Sequence, residues 1–250
     1  MKLYAYFVSD DPGIRVPESV TGVGGFGVRL MKAEDLLVGV SQSDDTPVAI
    51  TRDNVVAHER VVRSVFEHTT LLPFRFGNVV GEGQLRSYLH SHQEALQSRL
   101  LLLRGCVEMS VKVIWPASNS VNAEIEAVPA TTDSRLNREK GGAGAAFLMA
   151  KRREILGNQM LADKATEIVS WLKERLGNSI CKEQVSVRPR DKLVMAAAHL
   201  VARTNLERYR GELNRARAER PELHFLISGP WPPYSFANID LEFKTHFGVS

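Results

Sequence analysis

Residues 3–8 are rich in aromatic and β-favouring side chains, and the polar, proline-containing stretch 9–18 stops them, so the chain opens on a strand followed by a loop. Residues 28–31 and 37–41 flank the polar stretch 32–35 in the manner of a hairpin. Asp53 is a candidate N-cap, after which Val55, His58, Val62 and Val65 recur at spacings of three and four, with Val56 and Phe66 widening the stripe. This predicts an amphipathic helix ending near His68. Residues 71–80 form an apolar run carrying Pro73, Arg75 and Gly77, a strand that breaks into a turn. Leu85, Leu89, His92, Leu96, Leu100 and Leu103 then line one face of a helix over 83–104, closed by Gly105. Val107, Met109, Val111 and Val113 alternate with Glu108, Ser110 and Lys112, the period of a strand with one buried face.

From residue 116 to 144 the composition shifts to Ala, Ser, Asn, Thr, Pro and Gly, and the boundary between two domains, 1–120 and 121–250, is placed there. A long helix follows over 145–176, striped by Leu161, Ala165, Ile168, Leu172 and Leu176. Val185 and Val187 alternate with polar neighbours as a strand. Residues 193–203 suit strand or helix by periodicity, and the short turn before them favours a strand. Thr204 and Glu207 have the spacing of a capping box, opening a helix with Leu206, Tyr209, Leu213 and Ala216 on one face. Residues 223–228 read as a strand and 229–236 as a stiff, aromatic turn. Adjacent strands mixed with separate helices argue an α+β fold.

Composition narrows the classes. With 44% hydrophobic and 24% charged residues in 250, the chain has the makings of a buried core and no sign of disorder. A formal charge of +3 does not announce a polyanion partner. The two cysteines, Cys106 and Cys181, exclude a disulfide framework, and a reducing compartment fits. The apolar stretch 193–202 is half of the ~20 residues that a membrane helix needs, so no membrane span is expected.

Candidate chemistry is sparse. Gly22, Gly24 and Gly27 match a dinucleotide-binding spacing by letters, but a strand rather than a helix follows them, and a loop is the better reading. His58 and Glu59, with Arg75 downstream, would make an acid/base cluster on an enzyme. The position of His58 on the helix stripe favours a hydrogen-bonded, half-buried histidine, with His58, Glu59 and Arg75 as polar anchors between helix and strand. His90 and His92 diverge on a helix, so no metal site is expected. The basic group Arg135, Arg138, Lys140, Lys151, Arg152 and Arg153 is diluted by Glu139 and Glu154 and reads as a solvated surface rather than a nucleic-acid site. Trp231, Tyr234 and Phe236, stiffened by prolines, fit a partner-binding platform or a lid that packs back on the chain.

Three segments together carry a resemblance. The run His58-Glu59-Arg60-Val61-Val62 leading to Leu72-Pro73-Phe74-Arg75-Phe76-Gly77, the run Gly144-Ala145-Ala146-Phe147-Leu148 with Lys151 and Arg152, and Gly229-Pro230-Trp231-Pro232-Pro233-Tyr234-Ser235-Phe236 resemble the signatures of the gas vesicle protein L/F family. Phe74 and Phe147 depart mildly from that pattern, standing where Met or Leu and Tyr respectively are the commoner residues. The resemblance implies two α+β domains, the C-terminal one a modified ferredoxin-like fold. It implies a non-enzymatic accessory or minor structural protein of gas vesicle assembly, without cofactor. The expected partners are the hydrophobic shell protein and other vesicle accessory proteins, at the vesicle and in the cytoplasm during assembly. An enzyme on a ferredoxin-like scaffold and a weak nucleic-acid binder are the alternatives.

Overall fold

The structure is a computed structural model and describes residues 1–44, 47–116, 143–187 and 193–239. It divides into two compact units, Met1–Glu108 with Gly229–Ser250, and Met109–Ser228. The boundary expected near residue 120 lies outside the described residues. Residues 229–239 cluster with the first unit rather than with 121–228, because Tyr234 and Ser235 bond to side chains of that unit.

The first unit is built on β1 (Lys2–Ser9), which pairs antiparallel with β3 (Leu36–Gln42) on one side, and with β4 (Leu72–Pro73) and β5 (Val79–Gly81) on the other. β2 (Val28–Ala33) continues the sheet beyond β3 as the expected hairpin, with Ala33 opposite Leu36 and Glu34 at positive φ in the turn. Leu3 through Val8 are almost wholly buried, which explains a run of large apolar residues without alternation. Gly39 serves close packing: a Cβ there would stand 2.4 Å from the Phe7 ring.

Helix α1 (Arg52–Phe66) starts two residues earlier than the sequence suggests: Thr51, not Asp53, is the N-cap, its hydroxyl accepting from the Asn54 N–H at 3.2 Å. Its buried face is His58, Val61, Val62, Val65 and Phe66, whereas Val55 and Val56 are exposed. The helix expected over 83–104 is two, α2 (Glu82–Ser91) and α3 (Gln93–Leu103). They are separated by His92, whose backbone leaves the helical region and whose ring stacks on Tyr88. Gly105, at φ +69°, ends α3 as a left-handed residue should.

β6 (Cys106–Ile114) leads into the second unit, followed by α4 (Ala143–Leu176), β7 (Lys182–Ser186), β8 (Leu193–Ala202), α5 (Leu206–Glu219) and β9 (His224–Trp231). The sheet order β7-β8-β6-β9, with a βαββαβ succession among the described residues, is the ferredoxin-like arrangement. Ala165, Ile168, Leu172 and Leu176 of α4 are buried, as their spacing requires. Thr204 and Glu207 form no capping box: a 3-10 turn over Arg203–Asn205 precedes α5, Asn205 occupies the cap without a side-chain bond, and Glu207 pairs with Arg210. β9 runs on to Trp231, so the stiff turn begins only at Pro232, before the short α6 (Tyr234–Ala237). The cysteines are free, Cys106 buried and Cys181 exposed.

Candidate functional site

The first unit gathers polar side chains around the imidazole of His58. The α1 stripe turns His58 inward, where it is 4% exposed, among the rings of Tyr4, Tyr6, Phe76 and Tyr234. The Gly77 N–H donates to the Tyr4 hydroxyl at 2.9 Å, which frees that hydroxyl's own proton for Nδ1 of His58 at 3.0 Å. The network therefore assigns the ring proton to Nε2, which faces the Tyr234 hydroxyl at 3.5 Å. Tyr234 in turn donates to Oε2 of Glu59 at 3.3 Å. Tyr6 completes a second branch: its hydroxyl accepts from the Val23 N–H at 2.8 Å and lies 2.9 Å from Oγ of Ser41.

Burial sets the protonation states. It pushes His58 down to about 4, against a smaller opposing pull from the Phe74 carbonyl, so the imidazole is neutral at physiological pH. Burial raises Glu59 above the usual carboxylate range, opposed by the Tyr234 hydrogen bond and Arg63. Tyr234 is raised by burial and then by the Glu59 charge, so its hydroxyl keeps its proton. Oε1 of Glu59 is buried with no hydrogen-bond partner, which leaves the carboxylate incompletely compensated.

A second carboxylate fastens the same segment. Glu108 on β6 accepts from the Ser235 N–H through Oε2 and from the Ser235 hydroxyl through Oε1, both at 2.8 Å. Burial raises its pKa as well, against those two bonds.

The structure thus brings His58, Glu59 and Tyr234 together and leaves Arg75 out. Arg75 is exposed, its backbone carbonyl accepts from Asn78, and no ion pair joins it to Glu59. Trp231 is half-buried with the Arg63 guanidinium 5.9 Å over its ring, and Phe236 is buried at 2% exposure. Tyr4, Tyr6 and Glu108 were not foreseen as site residues. Glu108 carried no signal, since its alternation with valines read as a solvent face.

The glycine run is a 3-10 turn over Val23–Gly25, with Gly24 and Gly25 at positive φ and β2 directly after it; no helix N-terminus opens there for a pyrophosphate. Among the described residues no group of three His, Cys, Asp or Glu could hold a metal ion. Arg135, Arg138 and Lys140 lie outside the described residues, while Lys151 and Arg152 are exposed on α4.

The gas vesicle synthesis protein GvpL/GvpF family model matches residues 2–238. The chain belongs to that family. Gas vesicle protein L1 of Halobacterium salinarum is 26% identical over 88% of this chain and 84% of its own length. Gas vesicle protein L of a Streptomyces species is 27% identical over 94% and 92%. The crystal structure of gas vesicle protein GvpF from Anabaena superposes with a TM-score of 0.75 at 20% identity, over 96% of this chain and 97% of that one. That likeness shows that this GvpL/GvpF chain shares the α+β fold of GvpF.

Proposed function

We propose that this chain is a non-enzymatic accessory or minor structural protein of gas vesicle assembly that binds the hydrophobic shell protein and other vesicle proteins. The family match over residues 2–238 carries this reading. A shell subunit with a large apolar face must be shielded until it joins the wall, and a folded binder supplies that shield. The chemistry of the first unit supports a structural use of its polar cluster. Nδ1 of His58 is occupied by Tyr4 and the Tyr234 proton is committed to Glu59, so His58 and Glu59 act as anchors rather than as a base awaiting substrate. Trp231 and Tyr234, both half-buried, are the proposed partner surface, with Phe236 packed beneath as its support. The protein works at the vesicle and in the cytoplasm during assembly; among the described residues no helix is long and apolar enough to cross a membrane.

Co-expression with the shell protein tests the reading. Specific co-purification is expected, as is its loss in a folded Trp231→Ala, Tyr234→Ala variant. Vesicles normal in number and shape after deletion of the gene would overturn the assembly role.

A further inference from the structure

The C-terminal part of α5 and the first residues of β9 form an open groove of about 610 Å³. That volume falls within the roughly 300–1,000 Å³ of small-molecule sites. Leu223 and Phe225, 4% and 9% exposed, make its apolar floor with Pro221, and the Phe225 ring is backed by the Trp171 ring at 6.5 Å between centroids. Asn214, Arg217 and His224 supply the polar lining, and the first two, three positions apart on α5, share a helix face.

None of these three side chains has a hydrogen bond or ion pair within the chain among the described residues. The carboxylates near them in sequence are engaged elsewhere: Glu212 by Arg215, Glu219 by Arg175 and Glu222 by Arg220. Among the described residues no Asp or Glu lines the groove. The negative end of the α5 dipole favours a cation in the last turn, which accounts for Arg217 alone. It does not account for two further hydrogen-bond donors beside that cation, over an apolar floor.

We propose that this groove binds a small organic carboxylate. The planar guanidinium of Arg217 takes the carboxylate through two parallel N–H bonds. The Asn214 amide and a ring N–H of His224, present in either protonation state, are donors for the remaining lone pairs. The apolar body of the ligand lies on Leu223, Phe225 and Pro221 and removes their exposed area from water. A bare phosphate is a poorer occupant, because it leaves that floor wet. The helix end repels an anion, so affinity depends on Arg217 and falls with it. The site stands independently of the vesicle role.

The test titrates the full chain at low ionic strength with benzoate, followed by two-dimensional NMR of the backbone amides. Saturable shifts are expected at residues 214–218 and 223–225. Benzyl alcohol, which keeps the ring and lacks the charge, and inorganic phosphate, which lacks the ring, should each bind about tenfold or more weakly. Arg217→Gln, with unchanged circular dichroism, should lose about tenfold or more for benzoate. Arg217→Lys keeps the charge without the fork and should lose about threefold, and it carries the comparison if Arg217→Gln does not fold. The proposal is overturned by no shifts in the groove or by unchanged affinity in the Arg217 variants. Equal binding of phosphate would replace it with a bare anion site, and equal binding of benzyl alcohol with an apolar groove. A peptide ending in phenylalanine that binds where benzoate does not would overturn it in favour of a protein C-terminus.

Discussion

Among the described residues each unit buries one histidine, hydrogen-bonded to a tyrosine, and the two pairs are close in geometry but not in surroundings. In the first, Nδ1 of His58 lies 3.0 Å from the Tyr4 hydroxyl with the rings edge-on at 71°. In the second, Nδ1 of His199 on β8 lies 2.8 Å from the Tyr209 hydroxyl with the rings at 79°. Burial drives both imidazoles down to about 4. The difference lies on the far side of the ring. His58 continues through Tyr234 to Glu59, joining a C-terminal segment to the N-terminal sheet, whereas His199 only ties β8 to α5, with Glu183 opposite it on β7 as the nearby charge. The same buried pair is a local bolt in one unit and the middle of a long-range strap in the other.

Acid should break both pairs and separate them. A folded-state pKa near 4 against an ordinary 6.5 means that the native protein binds fewer protons between those values. Stability is then full above pH 6.5 and falls as pH drops toward 4, by about 3 kcal/mol for each histidine. Glu59 and Glu108 run the other way, because burial raises them: their contribution is present below the ordinary carboxylate range and lost as pH rises through the raised values. The second unit has no such offset at His199, and Glu167, held low by Lys164 and Arg220, adds to its loss in acid. Hydrogen exchange between pH 7 and 4.5 should therefore show β8 opening at higher pH than β1. Simultaneous opening would mean that the carboxylates do not buffer the first pair.

Removing each imidazole comes next in size. His58→Leu strands the Tyr4 proton and loosens the packing of four rings, for a cost of about 2–4 kcal/mol. His199→Leu strands only the Tyr209 proton and should cost about 1–3 kcal/mol. Urea denaturation gives the totals. Proteolysis distinguishes the roles: cleavage near residues 229–239 should accelerate in His58→Leu and stay unchanged in His199→Leu.

Much of this was legible in the pattern of residues, and the gaps have physical reasons. The strand period of residues 107–113 and the stripe of α4 follow from one buried face each, a local property. The inward turn of His58 was readable because its neighbours on the stripe are valines. Long-range partners were not readable: Tyr4 and His58 are separated by 54 positions, and Glu59 and Tyr234 by 175. Two of the expected stripe members, Val55 and Val56, are exposed: Val55 falls in the first turn of a helix capped at Thr51, and Val56 stands on the side of the helix away from His58, Val62 and Val65. Gly22 looked like part of a nucleotide loop, yet a Cβ there would stand 2.1 Å from the Tyr6 hydroxyl, so close packing accounts for the residue. Ser179, whose buried Oγ has no partner, has no structural explanation.

The smaller predictions probe the end of the strap. Glu59→Gln keeps an acceptor for Tyr234 and removes a half-buried charge whose folded-state pKa is raised, so at pH 7 it should stabilise, by a few tenths of a kcal/mol once solvent screening is allowed for. The gain should vanish below the ordinary carboxylate range, where Glu59 is protonated in both states; a loss at neutral pH would show that the charge itself holds Tyr234. Arg63→Ala removes the cation over Trp231 and the exposed pair with Glu67, for about 0.5–1 kcal/mol. It also takes a positive charge from beside Glu59, which should raise that carboxylate further and weaken the strap as pH rises. Tryptophan fluorescence followed from pH 5 to 8 reads both effects. If Trp231 is held only by its own packing, the Arg63→Ala curve will overlay that of the parent across the range.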